Sequence, residues 1–182
     1  MEQEACREGP GNEDGSAAGR VRILAFLCNW CSYAGADLAG VSRLQYPPEV
    51  VSIRVMCTAT ISPHHLLKAF QSGIDGVLVA GCHIGDCHYL KGNYIARKRF
   101  MVTREILDSA GIDRRRLRLE WVSAAEGEKF AGIIRDFTGE IREAGPSPLR
   151  AMLDADDASR NRVLVAFRKA YQAERLQGVD QG

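Results

Sequence analysis

Three short apolar runs in this chain each end at a cysteine. Val21 to Leu27 runs into Cys28, Val50 to Met56 into Cys57, and Gly76 to Ala80 into Gly81-Cys82. Each has the length of a strand; the first is largely apolar, as a strand covered on both faces should be, and the second is rich in β-branched residues. Helix signals lie between them. Ala36 to Leu44 is expected to be helical, ended by Pro47-Pro48. Ser62-Pro63 reads as an N-cap with proline at the first helical position, and Gly73 as the stop. A long helix is expected over about Asn93 to Ala110, burying Ile95, Val102 and Ile106. Leu117 to Val122 alternates like an edge strand. Ser123-Ala-Ala-Glu126 reads as a capping box for a helix carrying Phe130, Ile133, Ile134, Phe137 and Ile141. The fold class is therefore α/β: an open parallel four-stranded sheet with flanking helices.

The breaker Gly145-Pro146-Ser147-Pro148 separates this domain from an appended C-terminal helix, expected at about Asp157 to Leu176. Residues 1–19 are polar, Gly- and Glu-rich and lack any periodicity, so they read as a disordered tail holding Cys6. The divisions are 1–19, 20–145, and 146–182 as linker and helix. The near-neutral net charge of +1 gives no general bias toward nucleic acid or membrane. No signal-peptide pattern and no membrane-length apolar run is visible, so a cytoplasmic chain is expected.

In a parallel sheet, sites form at the carboxyl ends of the strands. Cys28, Cys57 and Cys82 share that register, with Cys31 and Cys87 close by in the same loops. Reduced thiols in this arrangement are ligands for soft metals. Three readings compete. Cys28-Asn-Trp-Cys31 alone resembles a thioredoxin-like dithiol oxidoreductase. Four thiolates also suit zinc, as in a zinc-stabilised interaction module. An iron–sulfur cluster takes four cysteines, and 2Fe–2S is the smallest that fits two short pairs. The pair spacing favours Cys28, Cys31, Cys82 and Cys87 as ligands and leaves Cys57 as the expected non-ligand. His83 and His88 each follow a cysteine at a spacing that does not match a Rieske centre, so they are expected to hydrogen-bond around the site rather than ligate. No phosphate-binding loop or catalytic triad pattern is present. Arg97-Lys98-Arg99 and Arg114-Arg115-Arg116 form a basic stretch suited either to an acidic partner or to a solvated face.

Several stretches carry a further resemblance. They are Phe26-Leu-Cys28-Asn-Trp-Cys31-Ser-Tyr-Ala-Gly-Ala-Asp37, Arg54-Val-Met-Cys57, Gly76-Val-Leu-Val-Ala-Gly-Cys82-His83, Gly85-Asp-Cys87-His-Tyr89, Gly92-Asn-Tyr94, and Leu119 to Phe130. Together they resemble the delta subunit of methyl-viologen-reducing hydrogenase over about residues 21–145. The resemblance implies a non-catalytic electron-transfer subunit of an oxidoreductase complex with one 2Fe–2S cluster. It implies relay between a hydrogenase or formate dehydrogenase partner and a flavin-containing heterodisulfide reductase A-like flavoprotein, in a hetero-oligomeric complex. The chain departs from the family pattern at Thr58-Ala59-Thr60-Ile61 and at Ile84, both in the cysteine loops.

Overall fold

The computed structural model describes residues 20–155; the expected N-terminal tail with Cys6, and the stretch 157–176 expected to be helical, lie outside the described residues. The chain runs β1 (Ile23–Cys28), α1 (Ser32–Val41), β2 (Val50–Val55), α2 (Pro63–Gln71), β3 (Gly76–Gly81), α3 (Gly92–Ser109), β4 (Leu117–Trp121), α4 (Gly127–Ala144) and α5 (Pro148–Ala155). Single turns of 3-10 helix precede α2 and β4. The four strands form one parallel sheet in the order β2-β1-β3-β4, so the expected architecture is present, including a helix after the Gly-Pro-Ser-Pro break.

The order fixes where a site can form. From β1 the chain crosses to β2 on one side, and from β2 it returns over β1 to β3 on the other. α1 packs with α4, and α2 packs with α3. Phe130, Ile134, Phe137 and Ile141 of α4 fill one face of the sheet with Leu27 and Leu78. Phe70, Phe100 and Leu107 fill the other with Val77 and Val79. Connections leave the adjacent strands β1 and β3 in opposite directions, which opens a crevice at their carboxyl ends. Register sets Leu27 beside Ala80 and Cys28 beside Val55, so Cys28, Cys57 and Cys82 emerge on one edge.

Local chemistry accounts for most boundaries. Ser62 and His65 make a reciprocal capping box before Pro63, and Gly73 ends that turn at φ 82°. α1 starts four residues earlier than expected, at Ser32. Gly35, which argues against a helix in sequence, lies where an added Cβ would sit 2.8 Å from the Ser123 carbonyl oxygen, so it permits close packing. α4 starts at Gly127, one residue after Glu126. Only half the expected box is made there: the Glu126 carboxylate accepts the Ser123 N–H at 2.6 Å.

One expectation is corrected. Ile95, Val102 and Ile106 of α3 are exposed, at 42, 56 and 43%. The buried stripe is Asn93, Ala96, Phe100, Thr103 and Leu107, one residue along. Both stripes have helical spacing, so periodicity left the phase open. The small Ala96 and the self-satisfied Thr103, whose hydroxyl donates to the Arg99 carbonyl at 2.8 Å, let the helix approach the sheet.

Candidate metal centre

Cys28 ends β1, Cys31 closes the turn before α1, and Cys82 follows β3. Their sulfurs all lie within 4.8 Å of one another, and Cys28 and Cys82 are 3.8 Å apart. Ser32 welds this corner to the sheet. Its buried hydroxyl accepts the Cys28 N–H at 2.8 Å and donates to the Ala80 carbonyl at 2.6 Å. The turn itself closes through the Cys31 N–H on the Cys28 carbonyl.

Cys57 and Cys87 form a second group. A Cβ built on Gly92 would lie 2.4 Å from the Cys57 sulfur and 2.9 Å from the Cys87 sulfur, so both flank the first residue of α3. The Cys57 sulfur also accepts the Ala59 N–H at 3.5 Å. The Cys28 sulfur lies 3.8 Å from the Met56 carbonyl, which ties the two groups together. All five thiols are buried, none more than 7% exposed.

Electrostatics couple the thiols. Hydrogen bonding from Cys31 draws the Cys28 thiol down to about 6, while the same contact pushes Cys31 far up. Burial pushes the Cys57 and Cys82 thiols up. These are soft donors buried close together, a set that suits a thiophilic metal or iron–sulfur centre.

The two histidines lie apart from each other. His83 engages Glu126 at 2.7 Å. His88 stacks on Trp30, with ring centroids 3.8 Å apart and 12° between planes. Asn93 is the hinge of the third loop: its buried amide donates to the His83 carbonyl at 2.6 Å and more weakly to that of Cys82. Ser32, Gly92, Asn93 and Trp30 are site residues to which the sequence alone assigns no role. Their signal in it is that they fall within the stretches that carry the family resemblance.

Glu126 is held at about 2, below its ordinary 4.5, first by the Ser123 N–H and then by His83. A carboxylate with a depressed folded value stabilises above its unfolded value, and that contribution is lost as pH falls through the folded one. Glu126→Gln is therefore expected to lower thermal stability at neutral pH. The gap from the unmodified chain should close between about pH 4.5 and about pH 2. Melting curves across that range check it; a gap unchanged down to pH 2 contradicts it.

Residues 23–145 match the family described as methyl-viologen-reducing hydrogenase, delta subunit. The chain belongs to that family. In Methanococcus voltae, the D-type iron-sulfur subunit of the vhc F420-non-reducing hydrogenase is 50% identical over 129 residues, covering 71% of this chain and 90% of the relative. In Archaeoglobus profundus, the D-type iron-sulfur subunit of F420-non-reducing hydrogenase is 47% identical over 124 residues, covering 68% and 90%. The A component of the Methanosarcina mazei ferredoxin:CoB-CoM heterodisulfide reductase is 53% identical over 124 residues, again 68% of this chain but only 16% of that protein. The delta-family sequence thus occurs both as a short separate protein and as a small part of a much longer polypeptide. Among the described residues, no helix is long and apolar enough to cross a membrane.

Proposed function

We propose that this delta-family chain is a cytoplasmic electron-transfer subunit whose thiolates hold a 2Fe–2S cluster. In this reading it relays electrons from a hydrogenase or formate dehydrogenase type partner to a flavin-containing heterodisulfide reductase A-like flavoprotein. The observation that carries it is that the buried thiols of Cys28, Cys31 and Cys82 lie within 4.8 Å of one another, with those of Cys57 and Cys87 buried beside Gly92. The iron–sulfur naming of the short, separate relatives supports iron over zinc. When bound, the cluster supplies a one-electron carrier. The chain's own residues hold, shield and orient. Ser32 and Asn93 fix the backbone of two ligand loops, and the stack of Trp30 on His88 joins those loops. The burial of Cys28, 1% exposed, disfavours the dithiol enzyme, because an attacking thiolate must reach its substrate.

The ligands are proposed to be Cys28, Cys31, Cys82 and Cys87, with Cys57 packed beside them. Cys57→Ala is expected to retain the iron and visible absorption of the unmodified chain. Alanine at any of the other four positions is expected to lower iron by about an order of magnitude. If Cys57→Ala loses iron and Cys87→Ala keeps it, the two exchange roles. Reduction with dithionite, followed by spin counting, tests the relay: about one unpaired electron per chain is expected. A chain that takes up no electron cannot relay one.

A further inference from the structure

Edge strand β2 leaves one of its faces uncovered among the described residues. Paired residues of parallel strands point to the same side of a sheet, and successive residues alternate. Val50 pairs with Ile23, so Val50, Ser52 and Arg54 face the side filled by α1 and α4. Val51 pairs with Leu24 and Ile53 with Phe26, so Val51, Ile53 and Val55 face the side of α2 and α3. Past Val50 the α1 side of the strand is polar, as a water-facing side should be. The α2 side is entirely apolar, yet Val51 is 64% and Ile53 42% exposed. The helices on that side account for the gap. α2 packs on β3 and α3 on β4, so both lie toward the other half of the sheet.

The position of α5 puts the chain that follows it on this same side. Leu149 packs in the cluster of Phe70 and Phe100, and α5 lies against α2. α5 ends at Ala155, and the stretch 157–176, outside the described residues, comes next. Read at helical spacing, that stretch gathers Val163, Leu164, Phe167, Ala170 and Tyr171 on one side. Asn161, Arg168, Lys169 and Gln172 fall on the other. A stripe of this kind needs an apolar face to lie on. The reach is ample. Such a helix is about 30 Å long, β2 is about 20 Å long, and β2 lies two strand spacings, about 10 Å, from β3. Residues 1–19 carry no large apolar side chain after Met1, so they supply no comparable stripe.

We propose that residues 157–176 fold back as a helix over the Val51 and Ile53 face of β2, with Phe167 at the centre of the contact. The cover completes the α2/α3 layer. It also shields an edge strand that otherwise offers an apolar face to other chains. The stretch lies beyond residues 23–145, so the family match assigns it nothing.

Hydrogen exchange, read by mass spectrometry on full-length chain purified without oxygen and monomeric at the working concentration, tests this. Amides of residues 163–171 are expected to be protected. Phe167→Asp and, separately, Val51→Asp are each expected to speed exchange there by about tenfold or more. The double variant should exchange no faster than the faster single one, because both break one contact. Val51 is exposed in the sheet, so its replacement leaves the domain folded; Val51→Thr should shift exchange in the same direction by less. Arg168→Glu, on the opposite side of the stripe, should change nothing. Unprotected amides at 163–171 in the native chain overturn the proposal, as does protection that Val51→Asp leaves intact. Protection that appears only when the chain dimerises, or only with another protein bound, gives the face to that occupant and overturns it too.

Discussion

Gly92→Ala is expected to empty the thiol site and leave the sheet intact. The new Cβ would stand 2.4 Å from the Cys57 sulfur, 2.9 Å from that of Cys87, and 3.5 Å from the Ala59 Cβ. The first two separations are far inside van der Waals contact, so something must move. The helix cannot easily withdraw, because Asn93 at its second position ties it to the His83 carbonyl. The sulfurs move instead. Alanine favours a helix over glycine by up to about 1 kcal/mol, and less at a first turn. Overpacking of this kind costs about 1–3 kcal/mol, so the clash wins. A ligand set displaced by a few tenths of an ångström no longer matches one centre. Iron per chain should fall by about tenfold, and further with Gly92→Val, while circular dichroism retains the α/β signal. An alanine variant with full iron content would show that the sulfurs have room to move.

Asp75→Ala should give the opposite result: a large loss of stability with the thiol site untouched. Asp75 precedes β3, and Cys82 follows it, so the two stand at opposite ends of one strand. The carboxylate is fully buried. It accepts the Arg22 N–H and the Ser147 N–H, each at 2.8 Å, and pairs with the buried Arg150. Arg116, whose charge burial disfavours, spans the Asp75, Ala144, Gly145 and Pro146 carbonyls. This network fastens the Gly145–Ser147 break, and α5 behind it, to the amino end of the sheet. Removing the carboxylate leaves the buried Arg150 with Asp154 at its Nε as its one carboxylate partner among the described residues, and the Arg22 and Ser147 N–H groups without an acceptor, at a cost of about 3–5 kcal/mol. In a domain of this size that lowers the melting temperature by roughly 10 °C. Iron per chain should not change. A melting temperature within about 2 °C of the native value would mean that solvent or Asp154 replaces the lost partner.

The register of cysteines was legible because it rests on two robust signals, strand-length apolar runs and the rule that parallel sheets build sites at their carboxyl ends. Phe130, Ile134, Phe137 and Ile141 were legible for the same reason: four large apolar residues leave α4 a single phase. α3 offered two candidate stripes, and the eye prefers Ile95 and Ile106 to Ala96 and Thr103. The packing preferred the smaller pair, since a close approach needs small residues. Gly92 and Ser32 illustrate a different limit. Their roles depend on contacts with Cys57 and Ala80, far along the chain, and a single glycine or serine carries no mark of a distant neighbour. The surroundings of the histidines were hidden likewise, since Glu126 and Trp30 reach them only in three dimensions.

The measurement that bears most directly on the thiol centre is a count of iron, acid-labile sulfide and zinc in chain purified without oxygen. About two irons and two sulfides per chain, with no zinc, is the result predicted for a 2Fe–2S centre held by these thiols. One tightly held zinc with no sulfide would contradict it and make the crevice a structural staple.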